Sequence, residues 1–139
     1  ANTKDFTNAN ANFNLAIAAD STDPNIYYQI GLMNFNEKKY DEAATNFEIA
    51  IQMGSKQLAA YVYKGLSLYS QQKYEDALIE FNKANSLDNA YVPSWLWKAR
   101  TEVALEKIDD AKASYNRVLE LDSENQSAKD DMLLLDSKQ

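Results

Sequence analysis

Three pairs of adjacent acids, Asp41-Glu42, Glu75-Asp76 and Asp109-Asp110, are the residues of this chain most suggestive of chemistry. Two neighbouring carboxylates could share acid and base roles or begin a divalent-cation site, but either task needs further groups brought in from elsewhere. The sequence shows no carboxylate cluster outside these pairs. It has no His, which removes the commonest general base and nitrogen ligand, and no Cys, which removes thiol nucleophiles, thiolate metal sites and disulfides. Neither a Gly-rich phosphate loop nor a nucleophile-elbow pattern occurs. The acid pairs also recur at a fixed spacing of 34 residues, so they mark one structural position three times. At the start of a helix they would favour the positive end of the dipole and cap free N–H groups. No catalytic residue, metal or cofactor is expected, and the chain is not read as an enzyme.

The elements that carry these pairs emerge when the sequence is compared with itself. An offset of 34 residues brings Lys39-Tyr40-Asp41-Glu42-Ala43 onto Lys73-Tyr74-Glu75-Asp76-Ala77 and Lys107-Ile108-Asp109-Asp110-Ala111. In the same register Phe47, Phe81 and Tyr115 coincide, as do Ala50, Ala84 and Val118, and, upstream, Gly31, Gly65 and Ala99. A period of this length points to a solenoid, in which stacked units bury faces that no unit could bury alone. Apolar residues recur at three- and four-residue steps, the stripe of an amphipathic helix. Each unit therefore predicts two helices: 25–37, 58–71 and 93–105 for the first, and 41–53, 75–87 and 109–121 for the second.

Local signals agree. Pro24 suits a first helical turn, and Gly54 suits a helix C-cap at positive φ. Gly31 and Gly65 fall inside helices, where each costs about 1 kcal/mol relative to Ala. The expected compensation is close approach of two helix backbones, with Ala99 serving at the third position. Ala43, Ala77 and Ala111 let the two helices of a hairpin nest, while Phe47, Phe81 and Tyr115 fill the gap to the neighbouring hairpin.

This arrangement resembles the tetratricopeptide repeat, whose pattern runs W-x2-L-G-x2-Y, then A-x3-F, then P. The likeness is carried by Tyr27, Ile30 and Gly31, by Tyr61 and Gly65, by Trp95 and Ala99, and by the Ala and Phe/Tyr columns of every second helix. Lys64 and Lys98 stand where leucine is expected, Asn34 and Glu102 where tyrosine is, and Ser55, Asn89 and Ser123 where proline is. The implied fold is all-α, a right-handed superhelical solenoid of antiparallel helix hairpins. Three units over 24–57, 58–91 and 92–125 form a single domain across 1–139, with one helix at each end. Residues 4–20 fall in the register of a second helix, with Phe6 and Phe13 in the aromatic columns, so the chain reads as starting halfway through a unit of a larger protein. Residues 126–137 resemble a closing helix.

The resemblance further implies a concave groove lined by the first helices, presenting Asn25, Tyr28, Gln29, Leu32 and Phe35, then Val62, Tyr63, Leu66 and Tyr69, then Leu96, Trp97, Arg100 and Val103. Tyr28, Phe35, Tyr63, Tyr69 and Trp97 are expected to be surplus to the core, with Trp95 inside it. The fold's best-known use, clamping the acidic C-terminus of a chaperone, needs Lys, Asn and Arg where this chain has Tyr28, Leu32, Pro93 and Trp97. A protein or peptide with apolar or aromatic anchors is the expected partner, and Arg100 is the one groove cation for a ligand carboxylate. The alternative is self-association into a homo-oligomer, with the groove filled by the parent chain or a second copy. With 21 acidic against 14 basic residues, the basic ones scattered, binding to nucleic acid or anionic lipid is disfavoured, and no nucleic-acid partner is expected. No apolar window is long enough for membrane insertion.

Overall fold

The computed structural model describes residues 23–55 and 57–137, and the helix expected over 4–20 lies outside them. Among the described residues there are seven helices and no strand. They are α1 (Pro24–Asn36), α2 (Tyr40–Gln52), α3 (Leu58–Ser70), α4 (Tyr74–Leu87), α5 (Val92–Ala104), α6 (Ile108–Leu121) and α7 (Gln126–Ser137). The first six begin and end within one residue of their predicted limits. Hairpins form from α1 with α2, α3 with α4 and α5 with α6; α2 joins α3, α4 joins α5, and α7 lies against α6. The architecture is a helical-repeat solenoid.

The turns inside the hairpins repeat atom for atom. Lys38, Gln72 and Glu106 follow the first helices at φ of 63°, 63° and 61°. Their N–H groups donate to Phe35, Tyr69 and Val103 carbonyls at 3.0, 2.9 and 3.0 Å, and the next N–H groups, of Lys39, Lys73 and Lys107, donate to Asn34, Leu68 and Glu102 at 2.8, 2.9 and 2.8 Å. This is the Schellman arrangement, which satisfies the orphan carbonyls of a helix end and sends the chain straight into the next helix. A side chain in the left-handed region is strained by its Cβ. Gln72→Gly should therefore raise stability by about 0.5 kcal/mol, the relieved strain being partly offset by glycine's greater freedom in the unfolded chain. The check is the urea midpoint, and a fall would contradict it. Gly54, at φ 98°, closes α2 in the same way, as expected.

The core follows the columns. Ala43, Ala77, Ala111, Ala50, Ala84, Val118, Phe47 and Phe81 are fully buried, and Tyr115 nearly so. The helical glycines are explained differently from expectation: it is a ring, not a second backbone, that lies over each. A Cβ at Gly31 would sit 2.7 Å from Phe47 Cε1, and one at Gly65 would sit 2.6 Å from Phe81 Cε1. The small column and the large column thus form one contact inside each of the first two hairpins. Phe47 also reaches the next hairpin, where Tyr63 stacks on it at 5.8 Å.

Two of the departures from the repeat pattern, Lys64 and Glu102, are compensated by polar contacts to neighbouring helices. Lys64 Nζ donates to Glu48 Oε2 on α2 and, at 2.9 Å, to Glu80 Oε1 on α4, tying two hairpins together. Glu102, 5% exposed, accepts from Ser114 Oγ at 2.6 Å. Burial pushes the Glu102 carboxyl above its ordinary range, against the pull of Ser114 and Lys98. The folded state then holds that proton more tightly than the unfolded state, so stability declines as pH rises from the ordinary glutamate range through the raised value. Glu102→Gln keeps an acceptor for Ser114 without a charge. It should raise the urea midpoint at neutral pH, with the gain vanishing in acid; a gain that persisted in acid would contradict the charge explanation.

Candidate functional site

Successive first helices touch, α1 with α3 and α3 with α5, and their rings meet at these joints. Phe35 and Tyr63 lie edge to face at 5.4 Å, and Tyr69 and Trp97 at 5.5 Å. Within the hairpins Phe35 also meets Tyr40 at 5.4 Å and Tyr69 meets Tyr74 at 5.1 Å, while Tyr28 tilts on Phe47 at 5.8 Å. Such pairs hold their partners beyond simple area burial. Of the aromatic residues expected to be surplus to the core, Phe35, Tyr63, Tyr69 and Trp97 are partly buried in ring contacts between hairpins, and Tyr28 is partly buried in one within its own hairpin.

Tyr28, Leu32, Phe35, Tyr63, Leu66, Tyr69, Leu96 and Trp97 are all partly exposed. Val62 is not available: at 4% exposure it belongs to the core with Ala77, Phe81 and Ala84. Leu66, Tyr69 and Trp97 pack against that cluster, and Leu96 and Val103 against the one around Tyr115. Asn25 Oδ1 accepts from Gln57 Nε2 at 3.4 Å, and Gln29 is exposed. Trp95 packs on the last core, its Nε1 donating to the Asn89 carbonyl at 2.8 Å.

Arg100 differs most from expectation. Its Nε donates to Asp131 Oδ2 on α7 at 2.7 Å, and its guanidinium lies 4.8 Å over the Trp97 ring. The groove cation is thus already neutralised from within the chain, and no other charge takes its place among the predicted site residues. Tyr115 donates its hydroxyl to the same Asp131 oxygen at 3.0 Å. Burial pushes the phenols of Tyr28 and Tyr69 up, and that of Tyr115 further, with Asp131 adding to it. Beside this network is a cavity of about 260 Å³ lined by Tyr69, Arg100, Val103, Tyr115, Asp131, Leu134 and Leu135. The last four were absent from the sequence-predicted site; the only available signal was that Asp131 follows Trp97 by one repeat length.

The acid pairs lie exposed in the first turns of α2, α4 and α6, where they complement the dipole. The capping half of the expectation is corrected: the N-caps are Lys39, Lys73 and Lys107, and none makes a side-chain cap bond, lysine having no acceptor. No group of three or more acidic, His or Cys residues among the described residues could hold a metal ion. Among the described residues, no helix is long and apolar enough to cross a membrane.

Family models described as tetratricopeptide repeat match residues 28–90 and 92–125. No curated protein sequence matched the chain. Among solved structures, the first tetratricopeptide domain of Spaghetti (RPAP3), bound to the HSP90 peptide SRMEEVD, superposes with a TM-score of 0.80 at 24% identity, over 86% of this chain and 94% of that one. The second such domain of human RPAP3, in complex with the HSP70 peptide SGPTIEEVD, gives 0.76 at 22%, over 81% and 98%. YrrB, described as having an unusual peptide-binding site, gives 0.77 at 21%, over 91% and 65%. The matched spans carry the same columns that the structure buries, and the chain belongs to the tetratricopeptide repeat family, a family of protein-interaction folds.

Proposed function

We propose that this chain is an adaptor whose concave face holds an apolar or aromatic segment of another protein. The observation that carries this reading is a run of partly exposed apolar side chains on three successive first helices, among them Leu32, Phe35, Tyr63, Leu66, Leu96 and Trp97, with the neighbouring Arg100 already paired to Asp131. Contiguous apolar surface of this kind on a folded protein favours contact with a partner. Acidic peptides like those seen with the RPAP3 domains would meet Tyr28, Leu32, Pro93 and Trp97, and the one nearby cation is spent on Asp131. Apolar anchors fit this chemistry; a carboxylate does not.

Panning a random peptide library against the wild type and against a Leu32→Asp, Trp97→Ser variant tests the reading. Peptides with two or more apolar or aromatic anchors should be enriched by the wild type and lost with the variant, each substitution costing about 2 kcal/mol of binding. Circular dichroism is needed alongside, because Trp97 also braces Tyr69. No enrichment, or enrichment of acidic C-termini, would reject it. A second reading, self-association, is favoured by Leu133 and Leu134, neighbours on α7 at 67% and 61% exposure. Sedimentation velocity at micromolar and submicromolar protein separates the two, since only a self-associating chain changes size with concentration.

A further inference from the structure

The ring pairs on the concave side form a series that stops one joint early. Phe35 meets Tyr63, and one repeat length on, Tyr69 meets Trp97, both edge to face. The next step of 34 residues gives Val103 and Asp131, so at the joint between α5 and α7 both rings are missing. The column of second-helix aromatics adapts to this change. Phe47 stacks on Tyr63, whereas Tyr115, in the equivalent place, carries a hydroxyl that donates to Asp131. The lost ring volume is not refilled. The cavity of about 260 Å³ lies there, with Tyr69, Val103, Tyr115, Leu134 and Leu135 as walls and the Arg100–Asp131 pair at its edge. Leu134 is 61% exposed, so solvent reaches this side.

We propose that this cavity is an aromatic socket, in which a Tyr or Trp side chain of the bound partner replaces the ring pair absent from the last joint. The inference rests on the reading of the concave face as a peptide-binding surface and names one of its anchors. The volume suffices, since an apolar cavity of about 150 Å³ already takes benzene. The walls are aliphatic and aromatic, and aromatic rings in such surroundings favour edge-to-face neighbours, the geometry Tyr69 already makes with Tyr74 and Trp97. The polar edge selects among aromatic groups. Asp131 receives both Arg100 and Tyr115 on Oδ2, which leaves Oδ1 for a phenol O–H or an indole N–H and gives Phe no equivalent contact. A carboxylate would find Arg100 already paired with Asp131 and would face the Asp131 charge.

The test is an NMR titration of the methyl-labelled chain with N-acetyltyrosinamide, with N-acetylphenylalaninamide and N-acetylaspartate amide for comparison. Saturable shifts at the Val103, Leu134 and Leu135 methyls are expected with the tyrosine probe, weaker ones with phenylalanine and none with aspartate. Val103→Tyr restores a ring in the column of Phe35 and Tyr69; it should raise the melting midpoint and abolish the tyrosine probe's shifts. Leu134→Trp, at an exposed position where folding is little affected, should abolish them by covering the mouth. No saturable shift in the wild type, or shifts unchanged in the folded variants, would overturn the proposal. Because the probe is a single amino-acid amide, it reads the socket alone. Library panning that found no apolar anchors would sink the wider groove reading and leave these shifts in place.

Discussion

Gly65→Val is expected to lower the stability of the array by about 3 kcal/mol, although in an ordinary helix replacing glycine by a side chain is favourable. The reason is the Phe81 ring. A Cβ at residue 65 would stand 2.6 Å from Cε1 and 2.8 Å from Cζ, well inside contact distance. The ring cannot retreat, because Phe81 is fully exposure-free and boxed in with Val62, Ala77 and Ala84. Close-packed interiors transmit such an insertion to rotamers and backbone, and the branched valine adds two methyl groups to it. The measurement is the urea midpoint of the single variant and of Gly65→Val combined with Phe81→Leu. Partial recovery in the double variant, seen as a favourable coupling term, is expected. A single variant as stable as wild type would remove the ring-on-glycine account.

Lys64→Leu is the second large effect, and here the structure reverses what the repeat pattern suggests. Leucine is the pattern's residue at this place, yet the substitution should cost about 3 kcal/mol, because it leaves Glu80, 5% exposed at its side chain, without its main cation. Lys83 remains at 3.4 Å but is half-exposed and gives little. Adding Glu80→Leu should return most of the loss, since a buried pair exchanged for apolar groups of similar size is often neutral or better. The pH dependence has a defined sign. Burial pushes the Glu48 carboxyl up, but the hydrogen bond and charge of Lys64 outweigh this and its pKa is lowered overall. The stability from that contact is present above the ordinary glutamate range and is lost as pH falls through the lowered value. Lys64 itself is opposed by burial yet raised overall by Glu48 and Glu80, so its contribution holds below the ordinary lysine range and fades only as pH climbs through the raised value. The penalty of Lys64→Leu should therefore be full at neutral pH and shrink in acid. A penalty that did not change with pH would point to packing and not to charge.

Residues within one repeat were the most legible from sequence. The 34-residue offset, the alanine column and the Phe/Tyr column defined helices α1–α6 to within a residue, because a solenoid writes its core as a short-range pattern and then repeats it. The candidate site was legible only in part. Position along the first helices gave the expected groove residues, but it could not separate Val62, which is buried in the core, from Leu66, which is only partly buried four residues later.

What the sequence determined by itself is the class of fold, the hairpin as the unit and the absence of the side chains that catalysis by His or Cys requires, since each of these follows from residue type and spacing alone. The tertiary structure decided the rest: that rings cover the glycines, that Lys64 and Glu102 are matched by acceptors and donors on other helices, that Asp131 neutralises Arg100, and that the last joint holds a cavity. The hydrogen-bonded pairs among these meet across 12 to 31 residues of chain, and the cavity walls across more. Helix periodicity fixes only the direction in which each residue points along its own helix; the neighbour it meets is set by how the hairpins stack.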